Sequence, residues 1–329
     1  MAAFFGQWKK YFAEDSVETF DFKYATWNTG TPRDFYFSLM KYIDPTSRAN
    51  FLTQMFLEGC SQEQIKGEFL KMDVFKDLSD EFRKALEKGN IPDDLLENEH
   101  RRLIIQRLTE IDADVVCLQE LHRDHINHKD FQTFLAKRGY QIETDGRDPA
   151  VMFRINMFKM VHTQKVPSQY MMVGLQSRQI QEVRILVTSA HVTGFKLSEA
   201  NCNFGTSDRE YRTGDKELYG CMNVQATKLN EGNWSAAIFG ADMNTSEVVK
   251  TDSQVQRIDI PSEYNFQRES LDNDGKTTSF NRCLGEAQLD HVYSLGVSKT
   301  ITFDLEELSP RILPPSDHKP VIGYFHIKL

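Results

Sequence analysis

Short apolar runs that end in polar side chains recur along this chain. Residues Phe20 to Asn28 alternate apolar and polar positions before closing on Trp27-Asn28, a period of two that predicts a strand with one buried face. Val115 to Leu118 is a continuous apolar run of the fully buried strand type, and it ends in Gln119-Glu120. Val183 to His191, Ala236 to Asp242, Leu289 to Tyr293 and Val321 to Ile327 repeat the theme, and Ala150 to Arg154 reads as a further strand. Helical periodicity fills the intervals at Ala49 to Gly59, Gln62 to Met72, Ser79 to Lys88, Asp93 to Ile111, Asp130 to Arg138 and Glu217 to Asn230. Pro92 ahead of Asp93-Asp94 is a favourable helix start. Residues 31–90 read as almost wholly helical and separate the first strand from the second, either as an insertion beside the core or as an outer layer packed on it. Some neighbouring strands have no helix between them, which predicts mixed sheets covered by helices. The expectation is a single α/β domain spanning 1–329.

Composition narrows the setting without naming a function. A 40% hydrophobic share with 10 Pro and 18 Gly is globular, and the length of 329 residues can bury a substantial core. The longest apolar runs are too short for a membrane span, and the first residues place their charges after the apolar stretch, unlike a secretory signal. Five cysteines with no C-x-x-C spacing suggest neither a disulfide framework nor a cysteine zinc site, which fits a reducing, cytoplasmic setting. The net charge of -9 argues against broad electrostatic adhesion to nucleic acid, but a local cleft holding Mg²⁺ and a few Arg or Lys can still take a phosphate.

The strand-end residues are those that phosphodiester hydrolysis beside a divalent metal needs. A carboxylate fixed at the end of a buried strand, such as Glu120, suits a hard cation, because Mg²⁺ takes one or two protein carboxylates and completes its shell with water and phosphate. Asp317 can be a second ligand, and Asn28 can orient a carboxylate or the water. Asp242 and Asn244 sit two apart after an apolar strand and therefore point to one side. One can hold an attacking water and the other can donate to a phosphate oxygen; an Asx turn is the plainer reading. His318 beside Asp290 suggests an imidazole oriented by a carboxylate, and His191 adds a second phosphate contact.

Taken in order, Trp27-Asn28, Leu118-Gln119-Glu120, Ala190-His191-Val192, Gly240-Ala241-Asp242-Met243-Asn244, Leu289-Asp290-His291 and Ser316-Asp317-His318-Lys319-Pro320 resemble the signature motifs of the DNase I-like endonuclease/exonuclease/phosphatase superfamily. The resemblance runs from about Asp21 to the C-terminus. It implies a four-layered α/β sandwich, two mixed sheets flanked by helices, that hydrolyses phosphoesters with Mg²⁺ or Mn²⁺. It further implies metal binding by Glu120, Asn28 and Asp317, water activation by Asp242, phosphate contacts from Asn244 and His191, and transition-state stabilisation by His318 backed by Asp290. The segments Arg101 to Glu120, Phe134 to Tyr140 and Ala150 to Arg154 resemble most the branch containing nocturnin and the poly(A) deadenylases. Ala241 between Gly240 and Asp242, His291 in place of a Tyr, and Thr245 to Val248 depart from that branch.

Two weaker signals flank these motifs. His122, His125 and His128 recur every three residues, which reads as a solvated helix start lining the cleft sooner than as a zinc site, with Arg123 and Lys129 supplying positive potential beside Glu120. Phe204, in a polar loop with Phe195 and Tyr211, can stack a base or simply anchor the loop. The function expected is a metal-dependent nuclease, a 3′-exoribonuclease acting on single-stranded RNA. The alternatives are a phosphatase for a phosphorylated dinucleotide, an inositol phosphate or a phospholipid head group, and a non-catalytic scaffold.

Overall fold

The protein is described by a computed structural model covering residues 19–36, 77–88, 90–146, 148–166, 170–191, 220–242, 266–269, 279–281, 285–287, 290–296, 299–304, 316, 318 and 320–328. Two sheets of six strands each form its centre. In chain order the strands are β1 (Thr19–Asn28), β2 (Val115–Gln119), β3 (Tyr140–Thr144), β4 (Ala150–Arg154), β5 (Phe158–Val166), β6 (Tyr170–Ser177), β7 (Arg184–His191), β8 (Ala236–Asp242), β9 (Gln267–Glu269), β10 (Ser279–Asn281), β11 (Gly285–Ala287), β12 (Asp290–Leu295), β13 (Lys299–Asp304) and β14 (Val321–Lys328). The first sheet runs β13-β14-β1-β2-β4-β3 and the second β5-β6-β7-β8-β12-β9, while β10 and β11 pair apart. Each large sheet is antiparallel except for one central parallel pair, β1 with β2 and β7 with β8.

The apolar faces of the two sheets meet in one core. Phe22, Tyr24, Val115, Phe153, Val173, Val187, Ile238 and Phe325 all contribute buried side chains to it. The outer face of the first sheet is covered by α2 (Asp93–Ile111), α3 (Arg123–Asn127) and α4 (Lys129–Arg138), and that of the second by the helix at 220–228. The order helix, sheet, sheet, helix gives the four layers expected. Among the described residues no helix is long and apolar enough to cross a membrane.

Local chemistry explains the helix limits. Pro92 is extended with φ -62° and cannot donate, so α2 begins at Asp93 with two acids in its first turn, where the helix dipole favours them. Asp112 and Gly139 close α2 and α4 in the left-handed conformation. Of the helical stretch expected over 31–90, the described parts are a turn at 32–36 and α1 (Asp80–Lys88). Phe35, Leu78 and Phe82 pack on Leu103 of α2, so these parts lie as an extra layer on the helical face. Glu99 of α2 accepts from the Ser79 amide at 2.8 Å, which ties the start of α1 to that face. The helices expected at 49–59 and 62–72 lie outside the described residues.

Candidate active site

Both parallel pairs deliver polar side chains to the same end of the sandwich. Register places Asn28 beside Gln119, His191 beside Asp242, and Asp290 beside Asp242. Side chains at the carboxyl ends of parallel strands are held by the sheet yet face the crevice where ligands bind in α/β folds. The sheets come close enough there for a polar seam: Gln119 donates to Ser189 Oγ at 2.9 Å and to Thr26 Oγ1 at 3.2 Å, and Ser189 donates to the Leu118 carbonyl at 3.1 Å. Asp242 and Gly240 share one face of β8 and look into the cleft, while Ala241 turns into the outer core. The departure at Ala241 thus has a steric reason: the small residue needed against the facing sheet is Gly240, where a side chain would meet Tyr24 and Thr26.

Asn28 joins the two sheets chemically. Its amide nitrogen donates to Glu120 Oε1 at 3.1 Å and to Asp242 Oδ2 at 2.8 Å, while its oxygen accepts from the Gly30 amide at 2.8 Å. The partners fix the amide orientation, because carboxylates only accept and a backbone N–H only donates. Glu120 follows the last residue of β2 in the left-handed region with φ 57°, unfavourable for a residue with a Cβ, and its amide is held by Asp148 Oδ1 at 2.7 Å. Burial raises the Glu120 pKa, against which His191 and the Asn28 hydrogen bond pull downward.

Asp148 did not emerge from the motifs, yet its second oxygen grips Nδ1 of His191. The signal was topological: β4 runs antiparallel to β2, so the residues just before β4 must flank the end of β2 that carries Glu120. Burial alone would lower the His191 pKa, but the hydrogen bond and charge of Asp148, with Asp242 and Glu120 behind, outweigh it and push the value up to about 9. The other ring nitrogen of His191 lies 3.5 Å from Glu120 Oε1 and 3.7 Å from Asp242 Oδ2.

His318 approaches from the opposite wall. Its Nδ1 meets Asp290 Oδ2 at 2.8 Å, its Nε2 lies 3.8 Å from Asp242 Oδ2, and its carbonyl accepts from the Trp27 indole at 3.1 Å. Asp242, Asp290 and His318 are all buried. Ser316 Oγ caps the His318 amide at 3.1 Å. Asn28, Glu120, His191, Asp242, Asp290 and His318 are therefore brought together as one group. Arg123 is exposed, and its side chain lies over Gly146 in the loop leading to Asp148. Asn244, Asp317 and Phe204 lie outside the described residues.

The donor set suits a divalent cation. Ligand atoms of Glu120, His191 and Asp242 fall within 4.8 Å of one another, and so do those of Asp242, Asp290 and His318. Carboxylates outnumber imidazoles in this partly buried cluster, and buried like charges repel unless a cation balances them. The histidines at 122, 125 and 128 behave otherwise. His128 caps α4 by accepting from the Asp130 amide at 3.3 Å, His122 is exposed, and His125 is buried against His100 rather than solvated at a helix start.

Comparison with solved structures decides the fold. ANGEL2, a 2′,3′-cyclic phosphatase captured with adenosine-2′,3′-vanadate, superposes with a TM-score of 0.56 at 14% identity over 96% of this chain and 98% of that one. The chain has the endonuclease/exonuclease/phosphatase fold. An endonuclease/exonuclease/phosphatase family protein from Bacteroides thetaiotaomicron superposes with a TM-score of 0.53 at 15% identity, covering 95% of this chain and 98% of that chain. TDP2 from Caenorhabditis elegans gives 0.52 at 15% identity, covering 98% of this chain and 80% of the other. No family model matches the chain, and no curated protein sequence matches it. At such low identity the endonuclease/exonuclease/phosphatase fold is carried by sheet order and core shape, while function must be argued from the site.

Proposed function

We propose that this protein is a divalent-metal-dependent phosphoesterase. The observation that carries this reading is the buried Asp242, which faces two imidazoles, each backed by its own carboxylate, and accepts from an amide shared with Glu120. Such a set can position a water, donate to a non-bridging phosphate oxygen and move a proton within one cleft. Glu120, oriented by Asn28, with Asp317 from outside the described residues, would hold Mg²⁺ or Mn²⁺, which would neutralise charge on a phosphoryl oxygen. Asp242 orients and deprotonates the attacking water. His318, its tautomer set by Asp290, and His191, charged through Asp148, donate to the phosphoryl oxygens. Asn244 adds an amide donor, Arg123 at the rim takes a further phosphate, and Phe204 stacks a base.

The substrate class we favour is a nucleotide-derived phosphoester, and within it single-stranded RNA trimmed from its 3′ end, in line with the deadenylase-like motifs around Glu120. That the similar ANGEL2 structure holds adenosine-2′,3′-vanadate supports a ribose-linked phosphate. The net charge of -9 favours the second reading, a small phosphorylated substrate that needs no extended basic track. End-labelled RNA and a phosphate-release panel, run with Mg²⁺ and with Glu120→Ala as control, separate the two. Shortened RNA without free phosphate supports the nuclease. Free phosphate with RNA left intact supports the phosphatase, and turnover undiminished in Glu120→Ala would overturn both.

A further inference from the structure

A second histidine pair lies behind the site and takes no part in the chemistry above. His100 of α2 and His125 of α3 are buried, with His100 Nδ1 2.9 Å from His125 Nε2 and His100 Nε2 3.2 Å from the Thr29 carbonyl. The direction of this chain follows from its last member. A carbonyl can only accept, so Nε2 of His100 carries a proton, and in the neutral ring Nδ1 is then the acceptor. His125 must therefore donate through Nε2. That leaves His125 Nδ1 bare, and this atom is buried with no hydrogen-bond partner among the described residues, where an N–H would cost more than a lone pair.

The Thr29 carbonyl and the Gly30 amide belong to one peptide unit, and the two groups point in opposite directions. One side of that peptide takes the His100 proton, and the other donates to Asn28 Oδ1 at 2.8 Å. The Thr29 amide and hydroxyl both hold the Gln119 carbonyl, at 2.9 Å and 3.0 Å, next to Glu120. Gly30 has φ +64°, and a Cβ there would come within 3.0 Å of Ser316 Oγ, so the turn has little room to reorient.

We propose that His125 and His100 are positioning residues that lock the Thr29–Gly30 peptide and, through it, the orientation of the Asn28 amide toward Glu120 and Asp242. Turning that peptide over would remove the Gly30 donor and free Asn28 to swing its oxygen against two carboxylates, spoiling the pocket for a cation. The pair thus couples the helical layer carrying Phe35, whose ring stacks on His100 at 5.6 Å between centroids, to the shape of the cation site. Only the metal arm of the test rests on the function proposed above.

The test combines Mn²⁺ titration with imidazole nitrogen NMR. His100→Phe keeps the stacked ring but cannot donate, whereas His100→Gln places an amide donor near the Nε2 position. The expected result is Mn²⁺ affinity weaker by about 10- to 100-fold in His100→Phe, the range seen when outer-shell partners of metal ligands are removed, and largely recovered in His100→Gln. Folded His100→Phe that binds Mn²⁺ as the wild type does would overturn the relay. The wild-type spectrum decides independently if the variants do not fold: both rings in the Nε2–H form at neutral pH support the relay, and an Nδ1–H on either ring contradicts it. A wild type that binds no Mn²⁺ counts against the metal reading, and the spectrum then decides the relay alone.

Discussion

Gly240 shows how one residue sets the distance between the sheets at the site. The Cβ of an alanine there would collide with the Tyr24 hydroxyl and lie 2.9 Å from Thr26 Cβ, all on strands buried on both faces. Overpacking of this kind costs about 1–3 kcal/mol, so Gly240→Ala is expected to lower the urea midpoint, and adding Tyr24→Phe should return part of the loss. Equal midpoints for Gly240→Ala and wild type would refute the close approach. Asp148 offers a second residue-scale test, made in metal-free protein. His191 has its ordinary value of 6.5 raised to about 9, so its contribution to stability is fully present below about 6.5 and lost as pH rises through about 9. Asp148→Asn should lower the His191 pKa in an NMR titration and flatten that alkaline loss; an unshifted titration would show that the carboxylate does not hold the imidazole. Such residues differ in legibility. Asn28, Glu120 and Asp242 stand at ends of apolar runs and can be found by pattern, whereas Asp148 sits in a loop whose meaning depends on strand pairing that no local pattern states.

At the scale of elements, strand ends do the assembling and buried helix faces hold them. The β5–β6 hairpin was absent from the strands expected from sequence. β6 is buried almost throughout and so lacks alternation, and its Gly174 reads as a break. In the fold that glycine seats Trp234 and His162, which a Cβ would strike. The α3 helix carries the other lesson, since spacing alone could not tell a solvated histidine row from a buried one. Burial lowers the His125 pKa from 6.5 to about 4, with Arg101, His122 and His128 acting in the same direction and Asp124 opposing. The unfolded chain then binds the proton first as pH falls, so stability should decline between about 6.5 and about 4. Denaturant midpoints across that range should fall less steeply in His125→Phe, and identical slopes would show that His125 does not titrate as a buried neutral ring.

For the whole molecule, the four layers make sense as a way to bring two sheet ends together. The layered fold was legible because several expected strands end in polar side chains; the ends of β1, β2, β7 and β8 meet at one end of the sandwich, where antiparallel β12 begins. Substrate choice was not legible, because the composition around Phe204 suits base stacking and plain anchoring equally well. Turnover of the phosphoester panel with Mg²⁺ or Mn²⁺ and with chelator, in wild type and in Asp242→Asn, decides whether this shared end is a cation-dependent phosphoester site. Hydrolysis in wild type is expected to need the cation, and the rate in Asp242→Asn to be lower by about 10²- to 10⁴-fold, the usual span for a general base. Equal rates with chelator, or full activity in Asp242→Asn, would contradict such a site.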